Sequence, residues 1–235
     1  MKKPYTIETL NENAVLVSFG NIINVDVNKR IVALDQQLNV APFLGFTETV
    51  PAYCSLAVFY NPIQVHSENP DYETAFQFVT EYIKIKLTGE EIEEKDSRNK
   101  VIEIPVLYDG EDLEFVSGQH QMTREEIIEI HTSSAYHVFM IGFLPGFAYM
   151  GSLDERIATS RKSSPRTQVP AGSVGIAGFQ TGIYPQSSPG GWQLIGRTPI
   201  KIFDKQKSKP CLFKPGDEVR FYSINHNEFN KLHEY

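Results

Sequence analysis

The reading of this chain turns on Gly142-Phe143-Leu144-Pro145-Gly146-Phe147-Ala148-Tyr149. Glycine lets the backbone take positive φ or approach another group closely, and proline fixes φ and removes a donor. The same chemistry recurs in Val169-Pro170-Ala171-Gly172, Thr181-Gly182-Ile183-Tyr184-Pro185, Ser188-Pro189-Gly190-Gly191-Trp192 and Gly196-Arg197-Thr198-Pro199. Around these turns lie short apolar runs that read as strands: Val101 to Tyr108, His137 to Phe143, Ser173 to Phe179, Gln193 to Arg197, Ile200 to Phe203 and Glu218 to Tyr222. One helix stands among them, where Thr123 and Glu126 form a capping box ahead of Ile127, Ile128 and His131. Many short strands, Gly/Pro punctuation and little helix predict a β-barrel or sandwich.

Before residue 90 the pattern differs. Thr6 to Thr9 and Ala14 to Phe19 read as strands across the turn Asn11-Glu12-Asn13. Val27, Ile31, Leu34 and Leu38 share one helix face, with Asn24 or Asp26 as the cap. Phe43 to Val50 and Ser55 to Tyr60 are further strands, separated at Pro51 and closed by Asn61-Pro62. Phe76, Val79, Ile83 and Leu87 form a second helical stripe, with Asp71 as cap and Gly89 as stop. Helices laid on a sheet bury both stripes. The mixed-sign charge run from Glu90 to Lys100 reads as a solvated linker. The expected organisation is α+β: a small α/β sandwich over 1–92 and a β-barrel domain over 93–235.

Composition narrows the function. The chain has 235 residues, 41% hydrophobic and 22% charged, which suits a folded globular protein. A net charge of −7, with both signs interspersed, leaves no basic face for nucleic acid. No stretch approaches a membrane span and no apolar segment follows the N-terminal lysines, so a cytoplasmic location is expected. The two cysteines, Cys54 and Cys211, stand outside any metal-ligand spacing; Cys54 reads as strand core and no metal is expected.

The whole run from His131 and Tyr136 to Gly216-Asp217, with Val50-Pro51-Ala52-Tyr53 and Ser55-Leu56 before it, resembles the family that holds KipI-type kinase inhibitors, the B subunit of 5-oxoprolinase and the first allophanate-hydrolase-type subunit. The resemblance implies a cyclophilin-like β-barrel after a smaller α/β domain. It implies one component of an ATP-hydrolysing 5-oxoprolinase that opens 5-oxoproline to glutamate. Such a component is inactive alone, touches a C-type subunit directly and needs a third, A-type subunit to complete the enzyme. The alternatives within the family are an inhibitor docked on a sensor histidine kinase and an allophanate-hydrolase-type subunit. The chain lacks a Gly-x-x-x-x-Gly-Lys-Ser/Thr loop, and Gly172, Gly175 and Gly178 do not form a dinucleotide fingerprint. ATP is therefore expected in a site shared with partner subunits. Fold-level likeness to cyclophilins implies no prolyl isomerase activity.

The candidate site residues each have a functional and a structural reading. Arg166, between Pro165 and Thr167, can grip a carboxylate or phosphate in two-pronged fashion, or form a surface ion pair. Arg197 is a ligand contact or a barrel-edge charge. Gln180, Thr181 and Tyr184 offer amide and hydroxyl groups on what reads as a loop, to a ligand or to the turn's own backbone. Trp192 is an interface anchor or core. Phe143, Pro145 and Phe147 belong to an apolar partner or substrate surface, or to the barrel interior. His131 is a catalytic acid–base candidate beside Arg166, or a helix-terminal histidine favoured by the dipole.

Overall fold

A computed structural model describes residues 5–88 and 101–233. Gly89, the charged run and the expected boundary after residue 92 lie outside the described residues. The chain divides into two compact units, residues 1–97 and 98–235.

The first unit contains β1 (Thr6–Asn11), β2 (Ala14–Ser18), α1 (Val25–Val40), β3 (Phe46–Pro51), β4 (Ser55–Tyr60), α2 (Pro62–Glu68) and α3 (Ala75–Thr88). Its four strands form an antiparallel sheet in the order β1-β2-β4-β3. The alternating residues Val15 and Val17 of β2 and Leu56, Val58 and Tyr60 of β4 point to one face, where Ile31, Leu34 and Leu38 of α1 and Val79 and Ile83 of α3 cover them. Asn24 caps α1, its side chain accepting from the N–H groups of Asp26 (2.7 Å) and Val27 (3.2 Å).

One expectation is extended here and two are corrected. Asn61-Pro62 does close β4, but the same residues also start a helix: Asn61 accepts from Ile63 and Gln64 while Pro62, which has no N–H to lose, takes the first turn. The helix after it is capped by Thr74, which accepts from the Gln77 N–H (3.2 Å), and not by Asp71. Cys54 sits half-buried in the bend between β3 and β4, with its thiol donating to the Ile22 carbonyl, so it is not strand core.

The second unit contains β5 (Ile102–Val106), α4 (Leu113–His120), α5 (Arg124–Ser133), β6 (Ala135–Ile141), β7 (Ala148–Gly151), β8 (Arg166–Val169), β9 (Ser173–Ala177), β10 (Gln180–Ile183), β11 (Ser188–Gly190), β12 (Gln193–Arg197), β13 (Glu218–Ser223) and α6 (His226–His233). Seven strands form one sheet in the order β12-β9-β10-β7-β6-β13-β5. The sheet curls until its ends meet, where Leu107, just past β5, exchanges two 2.9 Å N–H···O bonds with Arg197 of β12. That pairing removes the exposed sheet edges at this seam. Val138, Met150, Val174, Ile176, Ile183, Ile195, Val219 and Phe221 fill the interior. The capping box at the start of α5 forms as expected, with Thr123 and Glu126 bonded reciprocally.

Further expectations on this unit are also corrected. Ile200 to Phe203 is not a strand. Pro199 follows Thr198, whose hydroxyl accepts the Ile200 N–H (3.2 Å) in a tight turn, and only Phe203 makes an isolated bridge, to Cys211. Gln180 to Ile183 is not a loop but β10, in the middle of the sheet. Phe143 does not continue β6; it leaves the strand in a left-handed conformation (φ 66°). The helices α4 and α6 are additions to the elements expected from the sequence. No helix among the described residues is long and apolar enough to cross a membrane.

Candidate functional site

Past β6 the chain turns through Phe143, Leu144, Pro145 and Gly146 and re-enters the sheet as β7. The turn leaves Phe143 62% exposed, while Phe147 is buried. Phe147 then serves as the hub of an aromatic cluster. Its ring packs edge-on against Tyr184 (5.3 Å), Trp192 (5.3 Å), Tyr149 (4.9 Å) and Phe143 (5.6 Å). Edge-to-face rings interlock through their quadrupoles, so the wall is rigid before anything binds.

This wall bounds a cleft of about 430 Å³, whose other side is the segment Arg161, Lys162 and Pro165 and whose floor includes Pro189, Gly190 and Gly191. The volume lies within the range of small-molecule sites. A second, more polar hollow of about 400 Å³ lies on the far side of Arg161 and Lys162, lined by Asp112, Ser163, Ser164 and Gln193 among others.

The segment at residues 161–166 is held like a strap. The Lys162 N–H donates to the Gly191 carbonyl (2.7 Å). Below it, Asp112 is almost fully buried and gathers three partners: both carboxylate oxygens accept from Arg166 Nη2 (2.6 Å each), one accepts from Lys162 Nζ (3.2 Å), and one accepts the Leu194 N–H (2.7 Å). Arg166 Nε also pairs with Glu111 (2.6 Å), and Nη1 donates to the Trp192 carbonyl (3.3 Å). Asp112 reaches this position because the turn before it lies against β12: the Gly110 N–H donates to Ile195, and a Cβ at Gly110 would overlap the Leu194–Gly196 backbone.

Of the residues expected at a site, Phe143, Phe147, Tyr184 and Trp192 come together on the cleft. Arg166 is not among the residues that line it, and its guanidinium is paired with two carboxylates of its own chain, Glu111 and Asp112, which anchors the strap. Pro145 is exposed in the turn but does not line the cleft. Gln180 heads β10 opposite Ala177, and Thr181 is fully buried in that strand. Arg197 sits at the barrel seam, paired with Asp109 (2.9 Å) and stacked over Phe229 (4.7 Å). His131 is fully buried: Tyr108 Oη lies 2.7 Å from its Nδ1, Thr181 Oγ1 lies 2.9 Å from its Nε2, and its ring stacks on Phe221. Thr181 gives its own proton to the Gly175 carbonyl, so the imidazole donates from Nε2 and accepts at Nδ1. Burial holds its pKa down at about 3. The imidazole is thus neutral and enclosed in the barrel, its two nitrogens engaged by Tyr108 and Thr181. The sequence reading did not single out Asp112, Arg161 or Lys162.

Gly190 shows how tightly the cleft floor is set. A Cβ there would lie 2.7 and 2.8 Å from the Cε1 and Cζ atoms of Tyr184 and would overlap its hydroxyl oxygen. Gly190→Ala is expected to cost about 1–3 kcal/mol through overpacking and to alter the emission of Trp192, the chain's single tryptophan. Gly118→Ala, on open helix surface, is the control. Equal stability of the two variants in urea unfolding would contradict the packing argument.

Fold and cleft together define the class: an α/β sandwich joined in one chain to a nearly closed barrel that carries a strapped aromatic cleft. The chain belongs to the family described as carboxyltransferase domain, subdomain C and D, whose family model matches residues 5–213. It is 44% identical over 234 residues to the 5-oxoprolinase B subunit of Bacillus subtilis, covering 98% of this chain and 97% of that protein. It is 40% identical to the protein of the same name from Haemophilus influenzae, covering 92% and 96%. Among solved structures, the chain is similar to a conserved protein of Pyrococcus horikoshii (41% identity, TM-score 0.55, covering 95% of this chain and all of that one). The urea amidolyase of Kluyveromyces lactis shares the fold (20% identity, TM-score 0.71), with this chain matching 98% of its own length and 15% of that chain.

Proposed function

We propose that this chain is the B subunit of an ATP-dependent 5-oxoprolinase, acting in the cytoplasm with a directly bound C-type subunit and a third, A-type one. One observation carries the reading: end-to-end collinearity, across both units, with proteins of that name at 39–44% identity. A rigid, partly apolar cleft of small-molecule size is what a protein handling a compact lactam needs, because little ordering entropy is lost when the ligand enters.

The chemistry explains why ATP is required. A lactam is resonance-stabilised and its oxygen is a poor leaving group. Phosphorylating that oxygen makes the ring carbon electrophilic enough for water, so the protein's work is positioning and charge stabilisation. The cations around the cleft do not make a triphosphate cradle in this chain. Lys162 and Arg166 are neutralised by Asp112 and Glu111. ATP therefore belongs to a site completed by partner subunits. The kinase-inhibitor and allophanate readings have no separate feature of the cleft in their favour.

The test is reconstitution. Purified A, B and C subunits with 5-oxoproline and ATP are expected to release glutamate and ADP, and leaving out this chain is expected to abolish the release. Undiminished glutamate production without it would overturn the proposal.

A further inference from the structure

Arg161 is the one cleft-lining cation among the described residues that no carboxylate neutralises. Lys162, its neighbour, is paired with Asp112. Arg161 is exposed, yet its backbone is fixed by the strap: the next residue's N–H is bound to Gly191, and Arg166, at the strap's far end, is bound to Asp112 and Glu111. Its charge reaches into the cleft. Burial raises the pKa of both Tyr149 and Tyr184, and the Arg161 charge opposes that rise at each phenol. The same cleft is lined by the interlocked rings of Phe147, Tyr149 and Trp192 and by Phe143, which is held in a left-handed conformation that a bulky residue rarely adopts. Strain of this kind gathers at ligand clamps.

The arrangement is one anionic subsite beside apolar faces. A flat, uncharged ring can lie against the aromatic wall while a carboxylate on that ring meets Arg161 in a two-pronged, charge-assisted pair. Neither half suffices alone. An apolar ring without the anion leaves the guanidinium unmatched, and a free carboxylate without the ring forgoes the wall. We infer that the cleft between Arg161 and the Phe147–Trp192 wall is the binding subsite for the cyclic carboxylate substrate, with Arg161 holding its carboxylate. The inference rests on the proposed 5-oxoprolinase role and adds to it the chain, the cleft and the residue that hold the substrate.

The experiment uses the reconstituted complex of A, B and C subunits with Arg161→Gln and Arg161→Lys in this chain. Arg161 is exposed, and no carboxylate among the described residues pairs with it, so both variants are expected to fold and assemble, which size-exclusion chromatography checks. Loss of a charge-assisted pair is expected to raise KM for 5-oxoproline by roughly 10- to 100-fold in Arg161→Gln, with kcat changed far less, and Arg161→Lys is expected to recover part of the loss. In parallel, 5-oxoproline added to the wild-type complex is expected to protect Arg161 from modification by phenylglyoxal, while 2-pyrrolidone, the same ring without the carboxylate, is not. A wild-type complex that hydrolyses 5-oxoproline while Arg161→Gln keeps the wild-type KM would overturn the subsite and leave the 5-oxoprolinase role standing. A wild-type complex with no hydrolysis, but with 5-oxoproline-specific protection of Arg161, would overturn that role and leave the subsite standing. Absence of both would overturn both.

Discussion

Asp112→Ala is expected to destabilise the barrel unit by about 3–5 kcal/mol, the usual result of removing one partner from a buried charge pair. The Asp112 side chain is 6% exposed, and the Arg166 side chain that it neutralises is 15% exposed. Removing it strands a guanidinium in a poorly solvated place and leaves the Leu194 N–H without its side-chain acceptor. Glu111 cannot compensate fully, because it lies largely in solvent, where an ion pair is weak. The strap loses the Lys162 contact at the same time, so the cleft is expected to loosen as well. Urea unfolding followed by Trp192 emission reads the stability. Asp112→Asn, which keeps the shape and an acceptor but not the charge, should fall between. If Asp112→Ala unfolded within 1 kcal/mol of wild type, the pairing would be an incidental contact and the strap would need another anchor.

The second large effect concerns His131. His131→Phe keeps the ring stack on Phe221 but leaves the Tyr108 hydroxyl and Thr181 oxygen without their partner, at a cost of about 2–5 kcal/mol near neutral pH. Acid gives a sharper signature. The folded protein keeps this imidazole neutral down to about 3, whereas the unfolded chain protonates it near the ordinary 6.5. Below that ordinary value the unfolded state takes up a proton that the folded state refuses. Stability therefore falls as pH drops from 6.5 toward 3, by up to about 1.4 kcal/mol per pH unit from this group, and is independent of the group above 6.5. Wild type and His131→Phe should thus converge in stability as the buffer is made more acidic. Parallel stability curves between pH 7 and pH 4 would show that His131 titrates normally and is not sealed in the barrel.

How much of this was legible depends on how local each signal is. Asn24, Thr123 and Glu126 announced their helix starts because a cap is a contact within four residues. The apolar faces of α1 and α3 and the alternation in β2 and β4 were readable for the same reason, since periodicity is a property of one element. The stiff turn at Gly142 to Tyr149 was also readable, because glycine and proline stiffen a turn wherever it lies. By contrast, Thr181 looked like a loop hydroxyl between glycine and glutamine, and only its registry opposite Met150 and Ile176 makes it barrel interior. α4 was missed because its apolar residues follow the barrel wall and not a clean helical stripe.

By itself the sequence determined the two kinds of architecture, the aromatic and Gly/Pro-rich identity of the cleft, and the family, since these rest on residue type and short spacing. Tertiary structure alone decided that Asp112 meets Arg166 from 54 positions away, that His131 is enclosed in the barrel, and that among the described residues no carboxylate pairs with Arg161 beside the rings. Each of those depends on which strands the closing barrel brings together, and closure is a long-range pairing that no local window of sequence contains.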